Sequence, residues 1–218
     1  MELKESDKDN FWNNHTLNDF QRLAILKNVH SSEIVSICFL KDGRIASSSE
    51  DKNILIFNKN TFKTEIRIKE KKRICYMNVN KGGILISCSN GTYVNLYEIK
   101  GKKYKIIQTI KPYSLLIDVI GKFDDSFSIQ KFIELKNGDI AILVWGKAVS
   151  FYTKKKNSQK YSYLNKYREI DDDRITDLCE IEKNKYCVTL KFKYQIQFLD
   201  MNSKKVNETI KLKDFCFS

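Results

Sequence analysis

Proline is almost missing from this chain: Pro112 is the single one in 218 residues. Histidine is nearly as scarce, with two, and glycine stops at eight. No run of about 18 apolar residues occurs, so the sequence offers no membrane-spanning helix. The opening MELKESDKDN is polar and charged, unlike a secretory signal. The expected location is cytoplasmic, or else nuclear. Helical periodicity is weak throughout, and no long stretch sustains a 3.6-residue apolar repeat.

Chemical motifs are equally sparse. Neither a G-x-x-x-x-G-K-[ST] loop nor a helix-opening G-x-G-x-x-G is present, which removes the two common phosphate cradles. Around His15 and His30 no Ser/Cys–His–acid arrangement can be assembled. The six cysteines hold no C-x-x-C pair and mostly sit inside apolar runs, which reads as reduced, buried thiols. Asp171-Asp172-Asp173 lacks the Gly and Glu spacing of a calcium loop and reads as solvated. The expectation is a non-enzymatic protein without metal or cofactor.

What the chain does have is apolar substance and positive charge. Hydrophobic residues reach 42 % and aromatics 12 %, enough for a packed core. The formal net charge is +12, which suits acidic partners: an acidic protein, nucleic acid or an anionic lipid surface.

It also has a repeat. LKDGRIASSSEDKNILIFN at 40–58 is followed by NKGGILISCSNGTYVNLYE at 80–98 and LKNGDIAILVWGKAVSFYT at 135–153. EKNKYCVTLKFKYQIQFLD at 182–200 is a fourth copy. Fourteen positions separate Gly43 from Phe57, Gly83 from Tyr97 and Gly138 from Tyr152, and in the last copy Lys185 from Leu199. Each copy has a polar turn, an apolar run, a second break and an alternating run. A further apolar run flanks each copy on either side. Short β-branched and aromatic runs between Gly, Asn and Asp turns are strands of a meander, so each unit predicts four antiparallel strands, a to d.

The first copy resembles a WD repeat. It has His30 before strand a, V-S-I-C-F along it, the L-K-D-G turn, and Ser49, Asp51 and an aromatic, Phe57, in order. The likeness covers roughly 30–212 and weakens toward the last copies. It implies an all-β fold, a WD-repeat-like β-propeller of about four full four-stranded blades, near 30–68, 73–110, 128–167 and 174–212, in an incomplete or open ring. Residues 1–20 would be a polar segment or partial blade carrying Trp12, ahead of the propeller at 21–218. The resemblance also implies a structural hydrogen-bond network of His30, Ser49 and Asp51. Phe57 replaces the network's usual Trp and has no N–H to contribute. In the other copies Gly91, Gly146 and Lys193 stand in the place of Asp51.

Function, on this reading, is that of a scaffold binding protein partners through propeller loops; the alternative is a binder of nucleic acid or anionic lipid. Lys59, Lys102, Lys103, Lys154, Lys155, Lys156, Lys204 and Lys205 in the c–d turns would join the a–b turn lysines and Arg44 in one basic face. The insertion at 110–128 offers Tyr113, Leu115 and Leu116 as a second interaction loop, and Trp145 reads as packing. An open ring leaves strand edges for another chain to complete, unless the sequence is itself a fragment.

Overall fold

The computed structural model describes residues 25–90, 93–112, 129–144, 148–168, 175–191, 194–202 and 205–211. These form sixteen strands in four antiparallel sheets of four, with no α-helix among the described residues. Sheet 1 comprises β1 (Ile34–Phe39), β2 (Ile45–Ser49), β3 (Asn53–Phe57) and β4 (Thr64–Lys69). Sheet 2 comprises β5 (Ile74–Val79), β6 (Leu85–Ser89), β7 (Val94–Lys100) and β8 (Lys103–Ile110). Sheet 3 runs through β9 (Ile129–Glu134), β10 (Ile140–Val144), β11 (Ala148–Lys154) and β12 (Tyr161–Arg168). Sheet 4 holds β13 (Ile175–Glu182), β14 (Lys185–Leu190), β15 (Gln195–Asp200) and β16 (Lys205–Lys211). In every sheet the spatial order follows the chain, each strand pairing with the next.

The second strand of each copy explains the packing. Every residue of β6 and of β10 is buried. A strand covered on both sides reads as a continuous apolar run rather than an alternation. Sheets 2 and 3 meet that condition because each lies between two neighbours. Three apolar clusters fill the gaps. Ile54, Ile56 and Ile68 of sheet 1 pack with Met77, Leu85 and Tyr97 of sheet 2. Ile86, Val94 and Leu96 of sheet 2 pack with Phe132, Ile142 and Tyr152 of sheet 3. Leu143, Val149 and Phe151 of sheet 3 pack with Tyr186, Val188 and Leu199 of sheet 4. Each such fully buried side chain contributes about 1.5–3 kcal/mol against exposure. Among the described residues no cluster joins sheet 4 to sheet 1.

Polar ties cross the same gaps. The Ser36 hydroxyl accepts the Met77 amide at 3.0 Å. Gln108 uses both ends of its amide, donating to the Tyr161 carbonyl and accepting the Tyr161 N–H, each at 2.7 Å. Tyr167 donates to Gln197 at 2.7 Å.

The a–b turns depend on a left-handed residue. Gly43, Gly83 and Gly138 have φ of 81°, 81° and 85°. In sheet 4 that residue is Asn184, with φ of 63°, not Lys185, at which the spacing of the copies places the turn. Register explains the slip: Phe57 pairs with Ile45, Tyr97 with Leu85 and Tyr152 with Ile140, each two positions past the turn glycine. Leu199 pairs with Tyr186, two past Asn184. The fourth copy therefore holds one more residue between its turn and Leu199. Asn tolerates the left-handed region better than other side chains.

Candidate functional site

His30 is enclosed, its side chain 1 % exposed. Its Nδ1 donates to Asp51 Oδ2 at 3.0 Å, and Nε2 meets the Ser47 hydroxyl at 2.7 Å. The hydroxyl that reaches the ring is thus that of Ser47, where the repeat resemblance points to Ser49. Both serines lie on one face of β2. Ser49 is at the strand end, where its hydroxyl donates to the Ser32 carbonyl and accepts the Asp51 amide. The imidazole spans from Asp51 at the rim to Ser47 one pleat deeper. Burial opposes the Asp51 charge, but the amides of Ser31 and Asn53 and the His30 ring outweigh it and bring the carboxyl down to about 2. Phe57 is buried and adds no hydrogen bond.

Sheet 2 carries a second polar cluster with different chemistry. Glu70, 5 % exposed, accepts the Ser87 hydroxyl at 2.6 Å, Asn95 Nδ2 at 2.9 Å and the Tyr97 phenol at 2.5 Å. Thr109 donates to Asn95 Oδ1 at 2.7 Å, which fixes the direction of the amide. Burial first, and the adjacent Glu70 charge next, hold Tyr97 protonated far into the alkaline range. No cation pairs with Glu70 among the described residues; three neutral donors carry its charge. The sequence holds the signal for this site. Glu70, Ser87 and Tyr97 stand forty positions after His30, Ser47 and Phe57. Sheet 3 keeps only the phenol: Tyr152 is buried, and its hydroxyl has no partner among the described residues.

The a–b and c–d turns meet on one side of the sheets. Lys59 lies over Gly43, and Lys154 and Gln159 approach Gly82. Arg44 Nη1 donates to the Gly101 carbonyl at 2.6 Å, from a sheet 1 turn to a sheet 2 turn. Arg44 is not available to a partner: it is buried and held by Asp42 at 2.7 Å and Glu65 at 3.4 Å. Lys100 and Lys105 are engaged by Glu98. Two turn amides also consume carboxylates, Lys81 N donating to Glu134 and Lys136 N to Glu180.

Lys59, Lys102, Lys103, Lys155 and Lys156 remain exposed and Lys154 half-buried, none within ion-pair distance of a carboxylate among the described residues. Lys154–Lys156 line an open cleft of about 690 Å³ together with Asn137, Ser158 and Gln159. One carboxylate, Asp139, lines it, and accepts the Lys154 amide at 2.8 Å. The cleft is therefore lined by three lysines and several neutral hydrogen-bonding side chains against one carboxylate, a lining suited to anionic groups.

Tyr113, Leu115 and Leu116 of the insertion lie outside the described residues, as do Trp12, Trp145, Lys204, Gly91, Gly146, Lys193, Asp171–Asp173 and the N-terminal segment. Lys205 begins β16. Of the described cysteines only Cys88 is buried as apolar runs lead one to expect; Cys38, Cys75 and Cys187 are half-buried and Cys179 is exposed. Among the described residues no three His, Cys, Asp or Glu side chains converge as a metal site would require. No helix among them is long and apolar enough to cross a membrane. No family model matches the chain, and no curated protein matches it.

Proposed function

We propose that this chain is a non-enzymatic scaffold of the WD-repeat, β-propeller kind, with each four-stranded sheet as a blade. Its a–b and c–d turn face receives acidic protein partners. The observation that carries the reading is the Lys154–Lys156 cleft: three cations on the turn face, unspent on internal ion pairs, beside neutral donors. Arg44 and Glu98 support it indirectly, because they separate structural charges from available ones. A further chain completing the ring belongs to the same proposal.

The net charge of +12 favours one second reading, a binder of nucleic acid or anionic lipid through the same face. Affinity purification from the native cell, with and without nuclease, separates the two. Protein partners that persist after nuclease and are lost with Lys154, Lys155 and Lys156 changed to Glu support the scaffold. Partners that vanish with nuclease favour the second reading. Capture that ignores the triple substitution overturns the role of this face.

A further inference from the structure

Sheet 4 places two thiols opposite each other. Cys179 on β13 and Cys187 on β14 are direct cross-strand partners. Their sulfurs are 3.1 Å apart. Opposed residues of an antiparallel pair have Cα atoms about 4.5–5.5 Å apart. That lies within the span of about 4.4–6.8 Å that a disulfide bridges, so the bond needs no movement of the strands. The alternation of the strands fixes where the pair faces. Leu178, Tyr186 and Val188 point into the cluster shared with sheet 3. Cys179 and Cys187 point the other way, and Cys179 is exposed to solvent.

We infer that Cys179 and Cys187 form a reversible thiol–disulfide site, oxidised by exchange with a small-molecule disulfide of the glutathione class. The two sulfurs have different roles. The Cys179 thiolate, formed by loss of its proton to solvent, attacks one sulfur of the oxidant R–S–S–R. The S–S bond of the oxidant breaks, and RS⁻ departs and takes up a proton. Cys187 then gives up its proton and attacks the Cys179 sulfur of the mixed disulfide. The Cys179–S–R bond breaks, a second RSH leaves, and the Cys179–Cys187 bond remains. Two cysteine thiols are oxidised while R–S–S–R is reduced to two RSH.

Burial first, and the Cys179 sulfur next, push the Cys187 thiol up to about 11. That keeps Cys187 largely protonated and leaves attack on an oxidant in solution to Cys179, while the 3.1 Å proximity of the sulfurs lets Cys187 act on the mixed disulfide beside it. The thiols of sheet 2, Cys75 half-buried and Cys88 buried, serve as an internal contrast. Cys75 donates to the Cys88 carbonyl at 3.1 Å and the Ile129 carbonyl at 2.6 Å. Cys88 is fully buried, and burial raises both thiols, Cys75 to about 12. An oxidant in solution meets Cys179 ahead of either.

The test uses the full chain in a series of oxidised-to-reduced glutathione ratios, read by intact mass and peptide mapping. The wild type is expected to lose two hydrogen atoms, with the link mapped to Cys179–Cys187 and reversed by dithiothreitol. Cys187→Ser should retain one glutathione on Cys179, with a lifetime at least about tenfold longer than the wild-type mixed disulfide. A wild type that stays reduced at every ratio overturns the inference. So does one that keeps glutathione on Cys179 as long as the variant. Because the wild type carries the primary readout, a serine variant that fails to fold leaves the test intact.

Discussion

Tyr97 donates its phenol proton to Glu70 at 2.5 Å, in the position where sheet 1 has only the ring of Phe57. The two residues come from the middle of β7 and from the connection between sheets 1 and 2. Glu70 is held against sheet 1 as well, its amide donating to the Lys52 carbonyl at 2.7 Å. Glu70 thus joins two sheets, through its amide to one and its carboxylate to the other. Glu70→Ala would leave Ser87, Asn95 and Tyr97 without their acceptor, and should cost roughly 2–4 kcal/mol. Glu70→Gln retains the shape and should cost less. Denaturant midpoints at unchanged slope measure both, and a reversed order would contradict the role of Glu70 as the shared acceptor.

The same repeat position should respond oppositely in two sheets. Tyr97→Phe removes a donor from a buried carboxylate and should lose about 1.5–3 kcal/mol. Tyr152→Phe removes a buried hydroxyl with no partner among the described residues, and should be neutral or stabilising by up to about 1 kcal/mol. Thermal unfolding of the two variants side by side decides; equal losses would mean that Tyr152 has a partner.

Asp51 makes sheet 1 sensitive to acid. Its carboxyl titrates at about 2 in the folded chain, against roughly 3.9 in an unfolded one. A depressed folded value stabilises above the unfolded one, and that contribution fades as pH falls through the folded one. The difference in stability between wild type and Asp51→Asn should therefore shrink from pH 5 to about pH 2. At neutral pH, Asp51→Ala should cost about 1–3 kcal/mol. A gap that is constant over the acid range would argue against the His30–Asp51 pairing.

The fourth turn gives a local test of register. Asn184→Val should cost about 1–2 kcal/mol, because a β-branched side chain resists a left-handed backbone. Asn184→Gly should be tolerated. Lys185→Ala removes an exposed ion pair with Glu182 and should stay within about 0.5 kcal/mol. If Lys185 proves the more sensitive position, the turn lies where the spacing of the copies first places it.

A basic face can be separated from basic composition by salt. Lys154, Lys155 and Lys156 changed together to Glu should leave the unfolding midpoint nearly unchanged, since no ion pair is lost. The same change should weaken acidic-partner binding at low ionic strength and flatten its salt dependence. Equal salt dependence in the two proteins would place the binding elsewhere.

Strands and turns were legible from the residues alone, and the reason is range. Alternation in V-N-L-Y, the glycines at 43, 83 and 138, and the continuous runs of β6 and β10 act within a few residues. Four copies of one pattern therefore predict four sheets of four, which is the observed topology. Part of the polar clamp was legible too: His30 and Asp51 form a pair, twenty-one positions apart.

The tertiary structure decided everything that depends on which surfaces meet. Ser47 and Ser49 look alike in sequence, and only the depth at which the His30 ring enters sheet 1 separates them. Arg44 reads as one more turn cation until packing brings Asp42, Glu65 and the Gly101 carbonyl around it. Glu70 stands forty positions after a histidine, but its role exists only once Ser87, Asn95 and Tyr97 converge inside an intersheet gap. Cys179 and Cys187 are eight positions apart in the chain, with their opposition fixed by a register that local pattern alone left one residue out of step. Period and turn chemistry are local energies, written residue by residue. Register, burial and charge pairing arise between segments, and the chain acquires them only when the sheets pack.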